Sequence, residues 1–508
     1  MFPNRSPDAA LLRALRSGLR YCGYTEPALC ERLGRPTLHE YARGDTSADP
    51  GPARDALDVL LRLFMEGRAR PRSELAAHLP AGVIAALEGL ELIGAVPDAD
   101  GLVAAVVALY PTEGLYIASD LFGEFPEGRA DSVYPAISKS GAVYMSALPR
   151  RPCEHFLELC SGTGIAALVA ARTAGHAWAV DITERSTAFA RFNAALNDVR
   201  NFTALQGDLY APVAGLRFDR IVAHPPYVPA LEQHQIFRDG GTDGEQITRR
   251  VIAEAPAFLR PGGQLYCTCV ATERHGLPLE QRVRLMLGDA SDALDVLVLA
   301  TALIDPLVHF VREVALERSS LAEAAACLDT FQRLEIDNFV GCTIVVERHA
   351  SPRPPLTLRR KRGVLELGES VDSVLRWEAF AREAAAGDRL AAIRPRLAPG
   401  AQLRVVHVPH EHAWALQSCH VTVAGALPVE LQLSAEAATF LAWCDGMPTV
   451  REHLDRLVEQ GLAPADAPPE AFYGMVLALL REGVLQAERP EAAALAVTGV
   501  PAAASLAV

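Results

Sequence analysis

The chain has 508 residues and a formal net charge of −14, and half of its residues are hydrophobic. At roughly 150 residues per domain, this length predicts about three domains. The excess of acidic residues argues against broad electrostatic attraction to duplex DNA or to an anionic membrane. This net charge is compatible with a local basic cleft, so RNA stays among the candidate partners.

The sequence has the features of a reduced, cytoplasmic protein without a membrane anchor. No stretch comes near the roughly 20 uninterrupted apolar residues of a membrane-spanning helix. The N-terminus is charged and amphipathic, without the apolar segment of a signal peptide. Ten cysteines are scattered without the spacing of a disulfide framework, and several lie inside apolar runs.

Residues 1–97 are expected to form a helical, winged-helix-like domain, because four segments between residues 10 and 79 space apolar residues at three and four. ELAAHLPAGVIAALEGLELIGAV at 74–96 has the pattern of a helix–turn–helix followed by a wing. Its candidate recognition helix, residues 83–94, contains no Lys or Arg, and phosphate contacts need basic side chains. A structural or protein-contacting role is therefore favoured over DNA reading.

Residues 98–133 are expected to be a connector that contains a β-hairpin, since two strand-like runs at 102–119 are separated by Pro-Thr-Glu-Gly. Residues 134–350 then alternate strand-like and helical segments, which predicts an α/β domain with a doubly wound, Rossmann-like sheet. Seven strand-like runs are visible, from HFLELCS to VGCTIVVERH. The segment 302–340 lengthens the connection before the last of them and is expected to help form a substrate pocket.

The rest of the chain predicts a linker, an α+β module and a tail. Residues 351–364 are rich in Pro and Arg and are interpreted as a linker. Residues 365–490 should form a C-terminal α+β module whose end has a winged-helix rhythm and weakly resembles the small peptide-binding modules found beside peptide-modifying enzymes. Residues 491–508 are of low complexity and are expected to be disordered.

Two groups of His and Cys invite a metal or redox interpretation. The histidines at 407, 410, 412 and 420 crowd around Cys419, but their spacing matches no closed zinc site, and a solvent-facing hairpin is favoured. Cys267 and Cys269 alternate on one strand and so share a face, where core packing is favoured over a redox pair. No metal ligands are assigned.

The first motif that carries chemistry is FLELCSGTGIAALVAA at 156–171, a strand, a glycine turn and a helix start typical of nucleotide-binding α/β sheets. Gly162 and Gly164 lack a Cβ, so a ligand can approach the backbone, and the helix N-terminus adds oriented N–H groups. Asp181 closes the next strand, where a carboxylate can accept both hydroxyls of a ribose. Asp208 follows the third strand, either as a ligand contact or as a turn aspartate.

The second motif is FDRIVAHPPYVP at 218–229, a buried strand that stops at a double proline followed by an aromatic residue. Pro225 and Pro226 fix the backbone so that a carbonyl points into the site. Tyr227 can stack on a planar group or form a hydrogen bond.

Together these motifs resemble the class I S-adenosylmethionine-dependent methyltransferases, and most closely the HemK/PrmC-like branch with an Asn-Pro-Pro-Tyr motif after the fourth strand. The resemblance covers about 200 residues and includes the Gly-Gly-x-x-Gly pattern within RDGGTDGE at 238–245. It implies a seven-stranded sheet with an antiparallel last strand and S-adenosylmethionine as cofactor. It also implies that YPAISKSGAVYMSAL at 134–148 covers the cofactor, although an ordinary connecting helix fits that sequence equally well.

The resemblance assigns roles to individual residues. Glu158 would hold the amino group of the cofactor, Asp181 the ribose and Asp208 the adenine amine. The residues assigned to the cofactor are Glu158, Cys160, Ser161, Gly162, Thr163, Gly164, Asp181, Ile182, Asp208 and Leu209. Those assigned to methyl transfer are His224, Pro225, Pro226 and Tyr227.

His224 is the one departure, because the related enzymes carry Asn or Asp at this position. A neutral imidazole accepts a hydrogen bond as Asn does, and with an unperturbed pKa of about 6.5 it can also remove a proton near neutral pH. Such a base would suit an acceptor that loses its proton on attack, such as a hydroxyl, carboxyl, imidazole or ammonium group. The other interpretation is drift in an inactive pocket.

The sequence therefore predicts methyl transfer to a nitrogen or oxygen of an unidentified acceptor, with a small molecule or a peptide favoured. The first alternative is a protein-glutamine or RNA-base N-methyltransferase. The second is a non-catalytic scaffold that binds the cofactor, which the loss of Asn at 224 favours and the retention of both prolines and Tyr227 opposes.

Overall fold

The computed structural model describes residues 7–41, 51–122, 129–231, 234–316, 319–363, 366–368, 370–383, 386–464, 466 and 468–488. The tail expected at 491–508 lies outside these residues. The chain divides into two compact units, residues 1–369 and residues 370–508. No helix in the described ranges combines the length and the apolar composition needed to cross a membrane.

The first unit begins with helices and three short strands. In chain order these are α1 (Ala9–Tyr21), α2 (Glu26–Leu33), α3 (Ala56–Phe64), β1 (Arg70–Pro71), α4 (Arg72–His78), α5 (Ala81–Gly89), β2 (Ile93–Ala95) and β3 (Leu102–Ala105). The strands form an antiparallel sheet in the order β1-β3-β2. The helices α1, α2 and α3 start where Asp8, Thr25 and Asp55 cap free backbone N–H groups. The candidate recognition helix, α5, packs against α1.

The expected hairpin follows as β4 (Ala108–Thr112) and β5 (Leu115–Ser119). The two strands pair antiparallel across a turn at Glu113 and Gly114, and all their residues are buried. A two-stranded hairpin is only marginally stable alone, so this burial is what holds it. The prediction of a hairpin at 102–119 is confirmed for these ten residues.

The rest of the first unit is an α/β sandwich. Its strands are β6 (Cys153–Leu159), β7 (Ala174–Asp181), β8 (Phe202–Gln206), β9 (Phe218–Ala223), β10 (Leu259–Arg274), β11 (Leu294–Ile304), β12 (Ile336–Arg348) and β13 (Thr357–Lys361). Its helices are α6 (Lys139–Ser146), α7 (Ile165–Ala170), α8 (Glu184–Leu196), α9 (Gln246–Glu254), α10 (Leu279–Leu287), α11 (Pro306–Ala315) and α12 (Leu321–Arg333). Short 3-10 turns lie at Leu38–Glu40, Ala211–Val213, Ala255–Ala257 and Gly288–Ala293.

The sheet has the order β13-β11-β12-β10-β9-β6-β7-β8. The strands β8, β7, β6, β9 and β10 run parallel, and β12 is antiparallel to both of its neighbours, as expected for a last strand. The chain moves outward from β6 in one direction through β7 and β8, and in the other through β9 and β10. Ligands bind at such switch points, outside the carboxyl ends of the strands.

The sheet contains eight strands in the described residues rather than the seven expected, because the segment interpreted as a linker supplies one. Thr357–Lys361 pair in parallel with Val296–Ala300 of β11. The strand was not predicted because its sequence is rich in Arg. An edge strand tolerates charged side chains that form ion pairs, and Arg359 lies 2.6 Å from Glu273. The expectation of a linker at 351–364 is therefore wrong for these five residues.

The core of the sheet is apolar and continuous, and it includes Leu157, Ile221, Leu265, Val298 and Ile344. Cys267 and Cys269 are buried in the same core, as their alternation predicted, and all ten cysteines are free thiols. A second cluster around Phe310, Phe331 and Phe339 anchors α11 and α12.

The second unit has its own core and these elements: α13 (Ser370–Phe380), α14 (Ala386–Leu390), β14 (Arg396–Leu397), β15 (Ala401–His410), β16 (Ala413–Val423), β17 (Val429–Leu433), α15 (Ala435–Trp443), α16 (Val450–Glu459), α17 (Pro469–Arg481) and β18 (Leu485–Gln486). The histidine cluster lies on the antiparallel hairpin of β15 and β16, where His407, His410 and His412 are exposed. The solvent-facing hairpin is thus confirmed. The described residues contain no group of three or more His, Cys, Asp or Glu side chains placed to hold a metal ion.

Arg362, directly after β13, fastens this edge of the sheet to α6. It is 3% exposed and donates hydrogen bonds to the Thr343 hydroxyl at 2.6 Å, the Val143 carbonyl at 2.8 Å and the Ser146 hydroxyl at 2.6 Å. We expect Arg362→Ala to lower the free energy of unfolding of the first unit by about 2 kcal/mol or more, because charge-assisted bonds are lost and buried acceptors are left unpaired. Calorimetric unfolding measures this.

Lys361→Ala is the matched control, since Lys361 is the exposed preceding residue, at the end of β13. It should change the free energy of unfolding by less than about 0.5 kcal/mol. Equal effects of the two substitutions would contradict the role of Arg362.

Candidate active site

A cavity of about 980 Å³ opens at the carboxyl ends of β6, β7, β8 and β9. Every residue assigned to the site from the sequence lines this cavity, except Gly164. The parallel order of the strands brings these residues together, because they follow strand ends that meet at one edge of the sheet.

The turn after β6 needs residues that adopt a left-handed backbone. Cys160, Gly162 and Gly164 have φ angles of +53°, +51° and +76°. A Cβ on Gly162 would meet nothing within 4 Å, so this residue faces the open cavity. A Cβ on Gly164 would lie 2.9 Å from the Cβ of Ala190 in α8, so Gly164 instead allows close helix packing.

Glu158 lies beneath the turn and is 1% exposed. Its carboxylate accepts hydrogen bonds from the backbone N–H groups of Ala166 at 3.3 Å and Ala167 at 2.8 Å, and from the Tyr144 hydroxyl at 3.1 Å. Burial raises the pKa of Glu158 to about 7, against the lowering effect of these hydrogen bonds. A cationic ligand group in the cavity would favour its ionised form.

Asp181, at the end of β7, holds the same turn from the other side. One carboxylate oxygen accepts from the Gly162 N–H at 2.9 Å, and the other accepts from the Thr183 N–H at 3.0 Å and hydroxyl at 3.2 Å. Two carboxylate oxygens offer about four acceptor positions, so Asp181 retains capacity for a ligand hydroxyl. Burial raises its pKa.

Asp208 lines the cavity, but it is half-exposed and already paired. Both of its oxygens accept from the guanidinium of Arg250, at 3.0 Å and 2.9 Å. The neighbouring Leu209 is buried, whereas Ile182 is 54% exposed and presents an apolar side chain to the cavity. Of the three acids expected to contact the cofactor, Asp208 is thus the one whose charge is largely satisfied within the protein.

His224 follows β9 directly and lies between two tyrosine rings. It stacks on Tyr144, with ring centroids 5.1 Å apart and planes 26° from parallel, and its ring lies 5.6 Å from that of Tyr227 at 32°. This burial lowers the pKa of His224 to about 4. The imidazole is therefore neutral at physiological pH, and its pKa lies below the value of 6.5 from which the base hypothesis started.

A glycine-rich loop, residues 240–244, packs against the backbone of the His-Pro-Pro-Tyr segment. A Cβ on Gly240 would lie 2.8 Å from the Pro226 carbonyl oxygen, and one on Gly244 would lie 2.5 Å from that of Tyr227. The loop ends at Glu245, which is fully buried and forms a bidentate ion pair with Arg282 of α10 at 3.0 Å and 2.6 Å. The Gly-Gly-x-x-Gly pattern thus lies against the segment that presents Tyr227.

The segment whose role the sequence left open, residues 134–148, forms one wall of the cavity. Ser138, Ser140, Gly141, Tyr144 and Met145 all line it. Tyr144 links the two motifs, because its ring stacks on His224 while its hydroxyl donates to Glu158. A covering role is therefore favoured over that of an ordinary connecting helix.

The far end of the cavity is built by residues that the sequence did not single out. Tyr134 stacks on Phe237 with ring centroids 5.1 Å apart, and Gln235 lies beside them. His309 and Glu313, one turn apart on α11, complete this wall, so the segment 302–340 does contribute to the pocket. The sequence indicated these two residues only through their segment and through their (i, i+4) spacing.

Comparison with known proteins agrees with this geometry. Residues 134–290 match the family described as the methyltransferase small domain. A ribosomal protein uL3 glutamine methyltransferase from Bradyrhizobium diazoefficiens is 35% identical over 127 residues, which are 22% of this chain and 40% of that protein. A release factor glutamine methyltransferase from Moorella thermoacetica is 33% identical over 129 residues, 22% of this chain and 46% of that protein.

The chain thus spans less than half the length of each of these two relatives. Among solved structures, the ribosomal protein L11 methylase from Lactobacillus delbrueckii subsp. bulgaricus aligns at 17% identity and a TM-score of 0.23, over 39% of this chain and 71% of that one. By the family match and the two relatives, residues 134–290 carry the domain of an S-adenosylmethionine-dependent methyltransferase.

Proposed function

We propose that this protein transfers a methyl group from S-adenosylmethionine to the side-chain amide nitrogen of a glutamine in a protein or peptide. The observation that carries the proposal is the position of His224 at the start of the His-Pro-Pro-Tyr segment, where its ring stacks on Tyr144 and lies 5.6 Å from the tilted ring of Tyr227. The names of the two relatives support a glutamine acceptor better than the small-molecule acceptor favoured from the sequence.

The residues at the strand ends suit S-adenosylmethionine. Glu158 would face its ammonium group, Asp181 would accept from its ribose hydroxyls, and the exposed side chain of Ile182 would pack on its adenine. Gly162 faces the open cavity without a Cβ, so a ligand can lie against the backbone there. When bound, the cofactor supplies an electrophilic methyl group on a sulfonium.

A planar amide is a weak nucleophile that needs orientation more than deprotonation. The Pro225 carbonyl and the neutral His224 ring would each accept one N–H of the amide, and Tyr227 would stack on its plane. Holding donor and acceptor about 3 Å apart in line supplies most of the rate. An amide nitrogen that has gained a methyl group is strongly acidic, so an imidazole with a pKa of about 4 can still accept its proton. A base with this pKa would not deprotonate an ammonium group efficiently.

The acceptor class is tested by incubating the protein with labelled cofactor and cell extract fractionated into protein, RNA and small molecules. We expect label in protein, recovered as methylamine after acid hydrolysis of the methylated amide. Label confined to RNA or to small molecules would contradict the proposal.

We expect His224→Asn to keep the methylation rate within about tenfold of wild type, because Asn is also a neutral acceptor. His224→Ala should lower the rate by about a hundredfold, since the N–H acceptor is removed. With a pKa of about 4 for His224, the wild-type rate should be flat from about pH 5.5 to 8.

A fall in the wild-type rate centred near pH 6.5 that disappears in His224→Asn would restore the base hypothesis. Equal rates for wild type and His224→Ala would show that the imidazole takes no part.

Asp181→Ala should weaken binding of the product S-adenosylhomocysteine by at least about tenfold in calorimetry, because the acceptor of the ribose hydroxyls and the brace of the turn are lost. Asp208→Ala is the matched control at the next strand end. Its effect should be smaller, about threefold or less, since Asp208 is half-exposed and bound to Arg250. The reverse order of the two effects would contradict the assignment.

The raised pKa of Glu158 predicts that the free energy of unfolding depends on pH. Its pKa rises from 4.5 to about 7 in the folded protein. Between these values the folded protein binds more protons than the unfolded one, so Glu158 makes the free energy of unfolding fall as pH rises. Relative to Glu158→Gln, wild type should lose up to about 3 kcal/mol over this window. Urea unfolding at several pH values measures the difference.

Glu154→Gln is the control, because Glu154 is exposed on the same strand. The stability of Glu154→Gln should follow the wild-type pH dependence. Glu158→Gln should in addition bind S-adenosylhomocysteine more weakly than wild type. Parallel pH curves for wild type and Glu158→Gln would refute the role of the buried carboxyl.

A further inference from the structure

Two asparagines on α8, Asn193 and Asn197, hold the edge of β5. Asn197 accepts from the Tyr116 N–H at 2.9 Å and donates to the Tyr116 carbonyl at 2.7 Å. Asn193 accepts from the Ala118 N–H at 2.8 Å and donates to the Ala118 carbonyl at 3.1 Å. Four helix residues advance about 6 Å and two strand residues advance about 6.6 Å, so both amides fit the strand edge.

Only Asn193 also reaches the turn after β6. Its side-chain amide donates a second hydrogen bond, 3.1 Å long, to the carbonyl oxygen of Thr163. Asn193 is fully buried and Thr163 is 3% exposed, so neither group can exchange this bond for water. Thr163 precedes Gly164, and the turn that it belongs to presents Gly162 to the cavity.

The same hairpin is attached at both of its ends. Tyr24 donates from its hydroxyl to the Leu109 carbonyl at 2.6 Å, which joins the N-terminal helices to β4. Asp120, directly after β5, accepts from the Val133 N–H at 2.8 Å and from Arg185 Nε at 2.9 Å. Arg185 is in the first turn of α8, and Val133 lines the cavity.

We propose that Asn193 is a positioning residue for the cofactor-binding turn and couples that turn to the β4–β5 hairpin. The inference rests on the proposed cofactor site. Asn193 fixes the Thr163 carbonyl, which sets the backbone of Gly162 and Gly164 in the conformation that accepts the cofactor. Asn197 makes the same bonds to the hairpin but none to the turn, so it separates positioning from simple stabilisation.

The test compares Asn193→Ala with Asn197→Ala in the full chain. Both variants should melt at lower temperature than wild type, because each leaves backbone groups of β5 unpaired. Binding of S-adenosylhomocysteine should weaken by about tenfold in Asn193→Ala and by about twofold or less in Asn197→Ala. Equal affinities in the two folded variants would overturn the inference.

A measurement on wild type alone keeps the inference testable if Asn193→Ala does not fold. Coupling is reciprocal, so S-adenosylhomocysteine should slow hydrogen exchange in residues 115–119 of the hairpin. Residues 413–423 of the second unit serve as the control and should exchange at an unchanged rate. Unchanged exchange in both segments would overturn the inference. Failure of wild type to bind the product at all would instead overturn the cofactor site, and with it the coupling.

Discussion

The site depends on two buried carboxylates that form hydrogen bonds to the backbone at one glycine turn. Glu158 binds the first N–H groups of α7, and Asp181 binds the N–H of Gly162, so the turn is held from both sides. Both acids carry raised pKa values because burial disfavours their charge. Their ionised forms cost stability in the free protein, and a ligand that supplies a cation or hydroxyls would offset this cost. Burial of the two acids in the free protein therefore favours binding of such a ligand in the cavity.

His224 shows how a neighbour in space changes the chemistry of a residue. From the sequence, an imidazole in place of Asn indicated a base that works near neutral pH. Its position between Tyr144 and Tyr227 lowers its pKa to about 4, which makes it an acceptor of hydrogen bonds first. Chemically, His224 is then closer to a neutral amide such as Asn than its titration in water indicates.

The sequence was sufficient for most of the sheet and for the strand-end residues. Apolar runs bounded by glycines and acids define β6 to β9 without ambiguity, and parallel strands bring their ends together. It was insufficient where a residue acts through a distant partner. Asp208 gave no sign that Arg250 occupies its oxygens, and Tyr144 gave none that it joins Glu158 to His224.

Two further features were not predicted, the role of the asparagines on α8 and the strand β13, although the sequence contains signals for both. Asn is a poor helix former, so two of them one turn apart inside α8 indicated that their side chains serve the backbone of another element. The strand β13 was not predicted because its arginines suit a linker as well as an edge strand. Its pairing with β11 and the ion pair of Arg359 with Glu273 distinguish the two.

The hairpin of β4 and β5 also bears on where the catalytic domain begins. The family match starts at residue 134, after the hairpin. A fragment cut there would remove the hairpin partners of Asn193 and Asn197 and the Asp120 partner of Arg185, and buried polar groups that lose partners destabilise a protein strongly. The boundary for transplanting this domain into another protein therefore lies before residue 108, and at the other end beyond Arg362. The family match covers residues 134–290, whereas the folded unit also contains the β4–β5 hairpin before this range and the strands β11, β12 and β13 after it.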